Sequence, residues 1–322
     1  MSREPRKPRN AALAEVVVLV ARGTSVVSED VRARALELIQ DLLAQLREAG
    51  SPVVEPPYDD LVEVVEDIKS DVSKAAPQAL VSWTAFDEPD EYEYVHPFDV
   101  AVFSVAIALA LGEKARIVDI GLGALLHDVG MALVPVDPRV SYREGEGLSP
   151  ERAKEMRAHP ELGVKVLRQH PRISAFTKAI VAQHHERMDG SGYPRGLRGS
   201  DTHPYSRIVA CADVYSSMLA RSRLDRHMMP GEVVDYMMSA AGFELDKDVV
   251  RAMLGCVSPF PEGAFVRLST GELAVVTRLS RGMVTRPVVR LVREDGGARA
   301  ETTTEIDLAR PEHQTTLITA IE

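Results

Sequence analysis

The sequence contains little cysteine and no long apolar run, and these shortages exclude several classes of protein. Its two cysteines, Cys211 and Cys256, show no spacing typical of a disulfide framework or a zinc–thiolate site, so we expect a reducing compartment. The longest apolar stretch, residues 100–111, is shorter than the roughly 20 residues that a membrane-spanning helix needs. A start resembling a signal peptide is interrupted by Glu15 and lacks a small-residue cleavage site. The prediction is a cytoplasmic protein with no membrane partner.

Positive charge is also scarce, because 38 Lys and Arg residues face 48 Asp and Glu residues, for a net charge of -10. A protein that coats a nucleic-acid polymer needs a surplus of basic residues, so that partner is excluded. A small anionic substrate stays open, since bound divalent metals can supply positive charge locally. Residues 1–80 lack a Gly-rich phosphate loop, and the chain lacks the strand–helix alternation of a doubly wound sheet.

The chain is predicted to be mainly α and to consist of three regions. Residues 1–80 form an N-terminal region of uncertain α or α/β type. Residues 85–257 are predicted to be all-helical, and residues 258–322 to be a small β-rich segment with turn signals such as Thr270-Gly271. Apolar residues recur at three- and four-residue steps in the two N-terminal helices, and residues 15–20 suit either a strand or a buried helix. The predicted helices span 31–48, 58–74, 96–111, 115–127, 149–169, 173–185 and 206–220.

Six histidines and aspartates lie near the ends of predicted helices, and Asp213 lies inside a further one. These residues are His96, His127, Asp128, His159, His184, His185 and Asp213. Neighbours on a helix point about 100° apart, so His184 and His185 reach one point only where several helix ends meet. Mixed imidazole and carboxylate ligands suit iron, manganese, zinc or nickel better than calcium or magnesium. If Asp128 is shared by two ions, they can clamp the attacking and leaving oxygens of a phosphodiester and lower the pKa of a bridging water.

Any one of these histidines would ordinarily be a core or surface residue with a satisfied hydrogen bond. We keep that interpretation for four others, namely His170, His203, His227 and His313. The joint set is different, because buried histidine and aspartate are costly unless they are paired or metal-bound. The set therefore predicts a metal site.

A loop rich in glycine follows the histidine pair at 184–185. Its residues 190–196 contain three glycines and a proline, which allow the backbone to approach a ligand closely. Tyr193 adds an aromatic face and a hydroxyl. Alone, the segment would be a plain turn, but directly after two metal-ligand candidates it predicts a wall of the substrate pocket.

Four segments together resemble the HD-GYP family, a branch of the HD metal-dependent phosphohydrolases, over residues 90–257. They are His127-Asp128-Val129-Gly130, His159, His184-His185-Glu186 with Asp189-Gly190-Ser191-Gly192-Tyr193-Pro194, and Ala212-Asp213-Val214-Tyr215. The resemblance implies an all-helical HD-type catalytic domain. It implies hydrolysis of cyclic di-GMP to the linear dinucleotide or GMP, or, as in some members, of the mixed cyclic GMP-AMP.

The resemblance also implies two divalent transition-metal ions, with iron favoured although the ligands equally permit manganese. One ion would be bound by His96, His127, Asp128 and Asp213, and the other by His159, His184 and His185. Asp128 would bridge the two ions, and a metal-bridging hydroxide would be the nucleophile. His127 and Asp128 are thus the implied catalytic residues, and Gly192, Tyr193 and Pro194 would shape the substrate pocket.

Three positions depart from the family pattern. Met131 stands where the family usually has a lysine that would help to neutralise phosphate. Tyr92 replaces the glutamate of members with a third metal, so two metals are predicted. The usual Asp-Ala-Leu and Arg-Pro-Tyr segments are replaced by residues 216–218 and 221–224, in which Arg221 or Arg223 is the candidate substrate contact.

These observations favour an active cyclic-dinucleotide phosphodiesterase and leave two alternatives. One is a catalytically weak HD-GYP scaffold that binds cyclic dinucleotides or signalling proteins, which Met131 and the altered arginine segment would favour. The other is a phosphohydrolase of different substrates such as mononucleotides, which the loop around Tyr193 disfavours. By analogy with the family, residues 1–80 are predicted to be a regulatory or dimerisation region, and a homodimer stays open.

Overall fold

The structure is a computed structural model that describes residues 26–75, 80–81, 91–135, 149–168, 170–225, 230–280, 282–295 and 298–321. Its helices are α1 Glu29–Ala49, α2 Tyr58–Lys74, α3 Tyr92–Ala110, α4 Ile117–Leu125, α5 Pro150–Met156, α6 His159–Arg168, α7 Ala175–Gln183, α8 Pro204–Asp225, α9 Pro230–Ala240 and α10 Lys247–Leu254. Its strands are β1 Leu80–Val81, β2 Val257–Ser258, β3 Phe265–Leu268, β4 Leu273–Arg278, β5 Val288–Asp295, β6 Ala298–Asp307 and β7 Ile318–Ile321. Short 3-10 turns span Lys114–Arg116 and Val129–Leu133.

The two predicted N-terminal helices are observed as α1 and α2. The Ser28 hydroxyl caps α1 by accepting a hydrogen bond from the backbone N–H of Val31, and Gly50 ends the helix in the left-handed region at φ 58°. Apolar residues of both helices, such as Ile39 and Ile68, are buried in one core with α3 and α4. These helices therefore pack onto the helical body. The predicted strand or helix at 15–20 lies outside the described residues.

Helix α3 is the central helix of this core. It is the one described helix that is long and apolar enough to cross a membrane, yet 67% of its most apolar window is buried inside the fold. It packs against α2, α4, α8 and α10. Packing against these neighbouring helices explains why so many side chains of α3 are apolar.

The predicted and observed helices differ at several site residues. The stretch 149–169 was predicted as one helix but forms α5 and α6, which are separated at Arg157 and Ala158. Pro160 explains the break, because proline is tolerated in the first turn of α6 but disrupts the interior of a continuous helix. The helix predicted at 115–127 ends at Leu125. His127 and Asp128 therefore lie in a turn.

The C-terminal strands form an antiparallel sheet in the order β6-β5-β4-β3-β7. One face has its own small core that includes Val266, Val276 and Val289, apart from the helical core. Strand β1 pairs in parallel with β2, through Leu80 with Val257, at the end of the helical region. The predicted fold class, a mainly helical chain with a small C-terminal β segment, is confirmed.

Candidate metal centre

Five structural elements bring the seven predicted ligand residues to one point. His96 lies in α3, His127 and Asp128 in the turn after α4, His159 at the start of α6, His184 and His185 at the end of α7, and Asp213 in α8. Five of the seven side chains are buried, and Asp128 and His185 are partly exposed. The cluster is therefore buried except at Asp128 and His185, whose side chains solvent reaches in part.

The Asp128 carboxylate lies at the centre of the cluster. Its Oδ1 is 3.2 Å from His159 Nε2 and 3.6 Å from His184 Nε2, and its Oδ2 is 3.3 Å from His127 Nε2. Two groups of ligand atoms share it, each with all atoms within 4.8 Å of one another. One group is Asp128, His159, His184 and His185, and the other is His96, His127 and Asp128.

Asp213 extends the second group on the opposite side. Its Oδ1 is 3.0 Å from His96 Nε2 and 4.0 Å from His127 Nε2, and its Oδ2 is 3.6 Å from His185 Nδ1. The two carboxylates thus contact five imidazoles between them and share that of His127. Such an arrangement suits two neighbouring cations with a shared ligand.

The backbone fixes the orientation of three of the imidazoles. The Nδ1 atoms of His127, His159 and His184 lie 2.7, 2.7 and 3.0 Å from the carbonyl oxygens of residues 124, 156 and 181, each three residues earlier. A carbonyl oxygen only accepts, so each Nδ1 carries a proton and donates. The second nitrogen, Nε2, then points into the cluster with its lone pair available, as in metal-binding histidines.

This orientation creates an excess of acceptors that a cation would satisfy. Nε2 of His159 lies 3.2 Å from Nε2 of His184, and with both Nδ1 atoms protonated no hydrogen bond joins these two lone pairs. A buried polar atom without a partner is costly. The donor set therefore fits divalent transition metals.

The charge states of the cluster also suit metal binding. Burial lowers the pKa of His184 to about 4, with His127 and His159 contributing. Burial opposes ionisation of Asp128, but the positive charge of His127 and its hydrogen bond hold the pKa of Asp128 well below its ordinary value. Near neutral pH the cluster thus presents a neutral imidazole and an ionised carboxylate, the forms that ligate metals.

His127 is the exception in the metal-free state. Burial disfavours its charged form, but Asp128, Asp213 and the carbonyl of Ala124 raise the pKa of His127 to about 9. His127 then carries a proton on Nε2, the nitrogen that would ligate a metal. Because ligands must be deprotonated, metal binding would release that proton.

Two serines of α8 position other members of the cluster. The Ser216 hydroxyl lies 2.9 Å from His96 Nδ1, and the Ser217 hydroxyl donates to Asp213 Oδ1 at 3.3 Å. Their positions belong to the segment that departs from the HD-GYP pattern. Sequence analysis gave them no role, because neither residue type nor spacing indicates which side chain 120 positions away will pack against Ser216.

Tyr92 and Glu93 lie at and next to the position where some HD-GYP members carry the glutamate of a third metal, and each makes another contact here. The Tyr92 ring stacks on the His96 imidazole, with centroids 4.7 Å apart. Glu93, one residue on, accepts from the Arg47 guanidinium of α1 at 2.9 Å. Glu93 is thus paired with α1, which agrees with the prediction of two metals without testing it.

Glu186 anchors the loop that follows the histidine pair, and sequence analysis did not assign it this role. Its side chain is only 2% exposed, and its two oxygens accept from the backbone N–H groups of Arg195 and Leu197, both at 2.8 Å. A Cβ on Gly192 would collide with the His185 carbonyl oxygen, so the loop packs tightly against the pair. The available signal was a carboxylate directly after two ligand histidines.

This anchoring places Tyr193 beside the cluster. Its backbone N–H donates to the His185 carbonyl at 3.1 Å, and its ring stacks on the His185 imidazole with centroids 4.5 Å apart. Pro194 follows through a cis peptide bond. Tyr193 thus lies beside the metal cluster, and the role of residues 192–194 as a pocket wall stays a prediction.

The remaining predicted positions are only partly described. Arg221 and Arg223 belong to α8, but their side chains are outside the described residues, so their contact with substrate stays a prediction. Met131 is half-buried in the 3-10 turn after Asp128.

The histidines set aside in the sequence have other surroundings. His170 stacks on Tyr58, and His203 accepts from the Tyr205 backbone N–H at 3.2 Å. His313 lies in a 3-10 turn beside the sheet, and His227 is outside the described residues.

Comparison with known proteins decides the family. Residues 88–249 match the model of the HD domain, which covers all seven ligand candidates and the loop around Tyr193. The chain belongs to the HD domain family. Residues 265–319 match a second family, the KOW domain associated with HD domain, which covers strands β3 to β6 and part of β7. The recognition of an HD-type protein from its motifs is confirmed.

Several curated relatives of this HD domain chain are bacterial. It is 34% identical over 215 residues to the cyclic di-GMP phosphodiesterase PA4108 of Pseudomonas aeruginosa, covering 66% of this chain and 51% of that protein. It is 22% identical to the cyclic di-GMP phosphodiesterase PdeB of Borreliella burgdorferi, covering 64% of this chain and 53% of that protein. It is 32% identical to 3'3'-cGAMP-specific phosphodiesterase 2 of Vibrio cholerae, covering 40% of this chain and 24% of that protein. The chain thus spans about half the length, or less, of these relatives.

Proposed function

We propose that this HD domain chain is a metal-dependent phosphodiesterase that hydrolyses a cyclic dinucleotide, with cyclic di-GMP as its substrate. The observation that carries the proposal is the meeting of six imidazole and carboxylate groups in two sets that share Asp128, with Asp213 against them, directly beside the loop at Tyr193. Relatives over this region are named as cyclic di-GMP phosphodiesterases. The products would be the linear dinucleotide or GMP.

The residues would divide between two ions as the sequence predicts. His96, His127, Asp128 and Asp213 would hold one ion, and His159, His184 and His185 the other, with Asp128 shared. Iron is the favoured metal, and manganese suits the same ligands. When bound, such ions lower the pKa of an attacking water and neutralise charge on the phosphodiester.

The protein's own groups would orient the substrate. Burial and the nearby Asp128 and Asp213 raise the pKa of Tyr193, so its hydroxyl stays protonated and can donate a hydrogen bond to the substrate. Glu186 holds the loop that carries Tyr193. Pre-positioned donors of this kind favour a charged transition state because they need not reorganise during the reaction.

The second candidate function is a scaffold that binds a cyclic dinucleotide but turns it over slowly. The observation in its favour is Met131, which leaves the turn after Asp128 without the usual lysine. The same experiment also tests cyclic GMP-AMP as a substrate, because a relative from Vibrio cholerae is named as a phosphodiesterase specific for 3'3'-cGAMP.

The test combines metal content with hydrolysis. Protein purified without oxygen should contain about two equivalents of transition metal by elemental analysis, and Asp128→Ala should lose most of it. Wild type loaded with iron or manganese should convert cyclic di-GMP faster than cyclic GMP-AMP, with products separated by chromatography. Metal retained together with substrate binding but no product would favour the scaffold. Absence of metal uptake from excess iron and manganese would refute the proposal.

The assignment of residues 1–80 to a regulatory or dimerisation region, and the cytoplasmic location, remain proposals. The described part of this region is built into the helical core, through residues such as Leu46 and Leu61. Light scattering across micromolar concentrations tests self-association, and a monomer throughout would end the dimer hypothesis.

A further inference from the structure

Arg157 lies at the mouth of the site and has no part in the metal cluster. It is exposed and occupies the break between α5 and α6, two residues before the ligand His159. Its guanidinium carbon is 5.4 Å from the centroid of the Tyr193 ring. The break described above therefore brings a cation to the substrate-facing loop.

Contacts of the Tyr193 ring relate this cation to the cluster. The His185 imidazole covers one face of the Tyr193 ring, at 4.5 Å and an interplanar angle of 26°. The Arg157 guanidinium lies over the same ring, with its carbon 5.4 Å from the centroid. Tyr193 thus contacts both the imidazole of a predicted metal ligand and an exposed cation.

The neighbouring arginine of the loop is already engaged. Arg187 donates to the carbonyl oxygens of His184 at 3.1 Å and Glu186 at 3.0 Å, which points its guanidinium at the backbone. Arg157 is exposed, and a guanidinium presents a fork of N–H donors that matches phosphate oxygens bidentately. Its backbone N–H is bonded to the Ala153 carbonyl, so the residue is held at the end of α5.

A cyclic dinucleotide carries two phosphodiesters, only one of which can lie on the metal ligands at a time. We infer that Arg157 binds the second, uncleaved phosphodiester and thereby selects cyclic dinucleotides over substrates with a single phosphate. This inference rests on the proposed function and adds a residue to it. It also supplies positive charge in a site where Met131 stands in place of the usual lysine.

The experiment compares Arg157→Ala and Arg157→Lys with Arg152→Ala in the full chain loaded with manganese. Arg152 is an exposed arginine of α5, the helix that ends just before Arg157, so its replacement changes the net charge equally. Hydrogen bonds to a charged partner predict that Arg157→Ala raises the KM for cyclic di-GMP about 10- to 100-fold, with a smaller change in kcat. Lysine should restore part of the loss, since it keeps the charge but not the fork. Arg152→Ala should behave as wild type.

A substrate with one phosphodiester, bis(p-nitrophenyl) phosphate, separates phosphate binding from a loss of loop structure. The loss in kcat/KM of Arg157→Ala should be at least tenfold greater for cyclic di-GMP than for this compound. Equal losses, or a KM for cyclic di-GMP within twofold of wild type, would overturn the inference. Failure of metal-loaded wild type to hydrolyse either compound would instead refute the proposed function. Equilibrium binding of cyclic di-GMP to wild type and Arg157→Ala would then decide the role of Arg157 on its own.

Discussion

Replacement of Glu186 by glutamine should release the loop that carries Tyr193 while leaving the metal ligands in place. In the wild type both carboxylate oxygens accept backbone N–H groups, from Arg195 and Leu197, at 2.8 Å. Glutamine has almost the same shape but one acceptor oxygen, so one of the two N–H groups would face a donor instead. The change therefore removes one charge-assisted hydrogen bond at a buried position.

The expected magnitude follows from that single bond. A hydrogen bond to a charged group contributes about 1.5–3 kcal/mol, so local opening of the loop should become easier by this amount. Since 1.4 kcal/mol is a factor of ten, the amides of Arg195 and Leu197 should exchange with solvent about 10- to 150-fold faster. Hydrolysis of cyclic di-GMP should fall by no more than that factor, because only the open fraction of molecules loses the pocket wall.

Hydrogen exchange followed by mass spectrometry or NMR measures this directly, with activity assayed on the same samples. Glu113→Gln is the matched control, since Glu113 is partly buried and accepts from the Tyr205 hydroxyl, and neither residue belongs to the loop. Wild-type exchange at residues 195 and 197 in Glu186→Gln would refute the anchoring role. So would equal exchange increases in the control variant.

Three further predictions concern the metal cluster. Gly130→Ala should abolish metal binding or folding, because the added Cβ would collide with the His159 carbonyl and lie 2.5 Å from the Gly163 nitrogen. Circular dichroism reports loss of folding and elemental analysis reports loss of metal. A metal content equal to that of wild type would contradict the prediction. Metal at about 100 times its Kd should raise the free energy of unfolding by about 2.7 kcal/mol and Tm by about 5–10 °C. Scanning calorimetry should find no such rise in Asp128→Ala, and an equal rise there would contradict the shared role of this carboxylate. The pKa of His127, raised from 6.5 to about 9, predicts that its contribution to metal-free stability is lost as pH rises through 9. Metal affinity should accordingly rise by up to about tenfold per pH unit between pH 7 and 9, with proton release seen by calorimetry in two buffers; uptake without proton release would contradict this.

Much of the fold followed from local patterns. The apolar spacing of residues 31–48 and 58–74 predicted α1 and α2 nearly to the residue, because an amphipathic helix is set by which of its own side chains are apolar. The β-branched runs after residue 258 likewise predicted the C-terminal sheet. The helix predicted at 149–169 was wrong in one respect, since the prediction did not take Pro160 into account and missed the break at Arg157.

The sequence by itself determined the chemistry of the site, because the ability of histidine and aspartate to bind metals belongs to the residue type. It identified His127, Asp128 and the pair at 184–185 as ligand candidates through their placement at helix ends. The glycines before Tyr193 similarly marked a loop that packs close to its neighbours.

Only the tertiary structure decided how these groups face one another. The contact of His96 with Ser216 joins residues 120 positions apart, and the bonds from Glu186 depend on the path of the loop that returns to it. The position of Arg157 over Tyr193 depends on where α5 ends and how α6 packs beside the loop. Such contacts arise from the packing of whole helices, and the free energy of that packing is spread over many side chains. The identity of the two residues that come into contact therefore cannot be predicted from the sequence around either one.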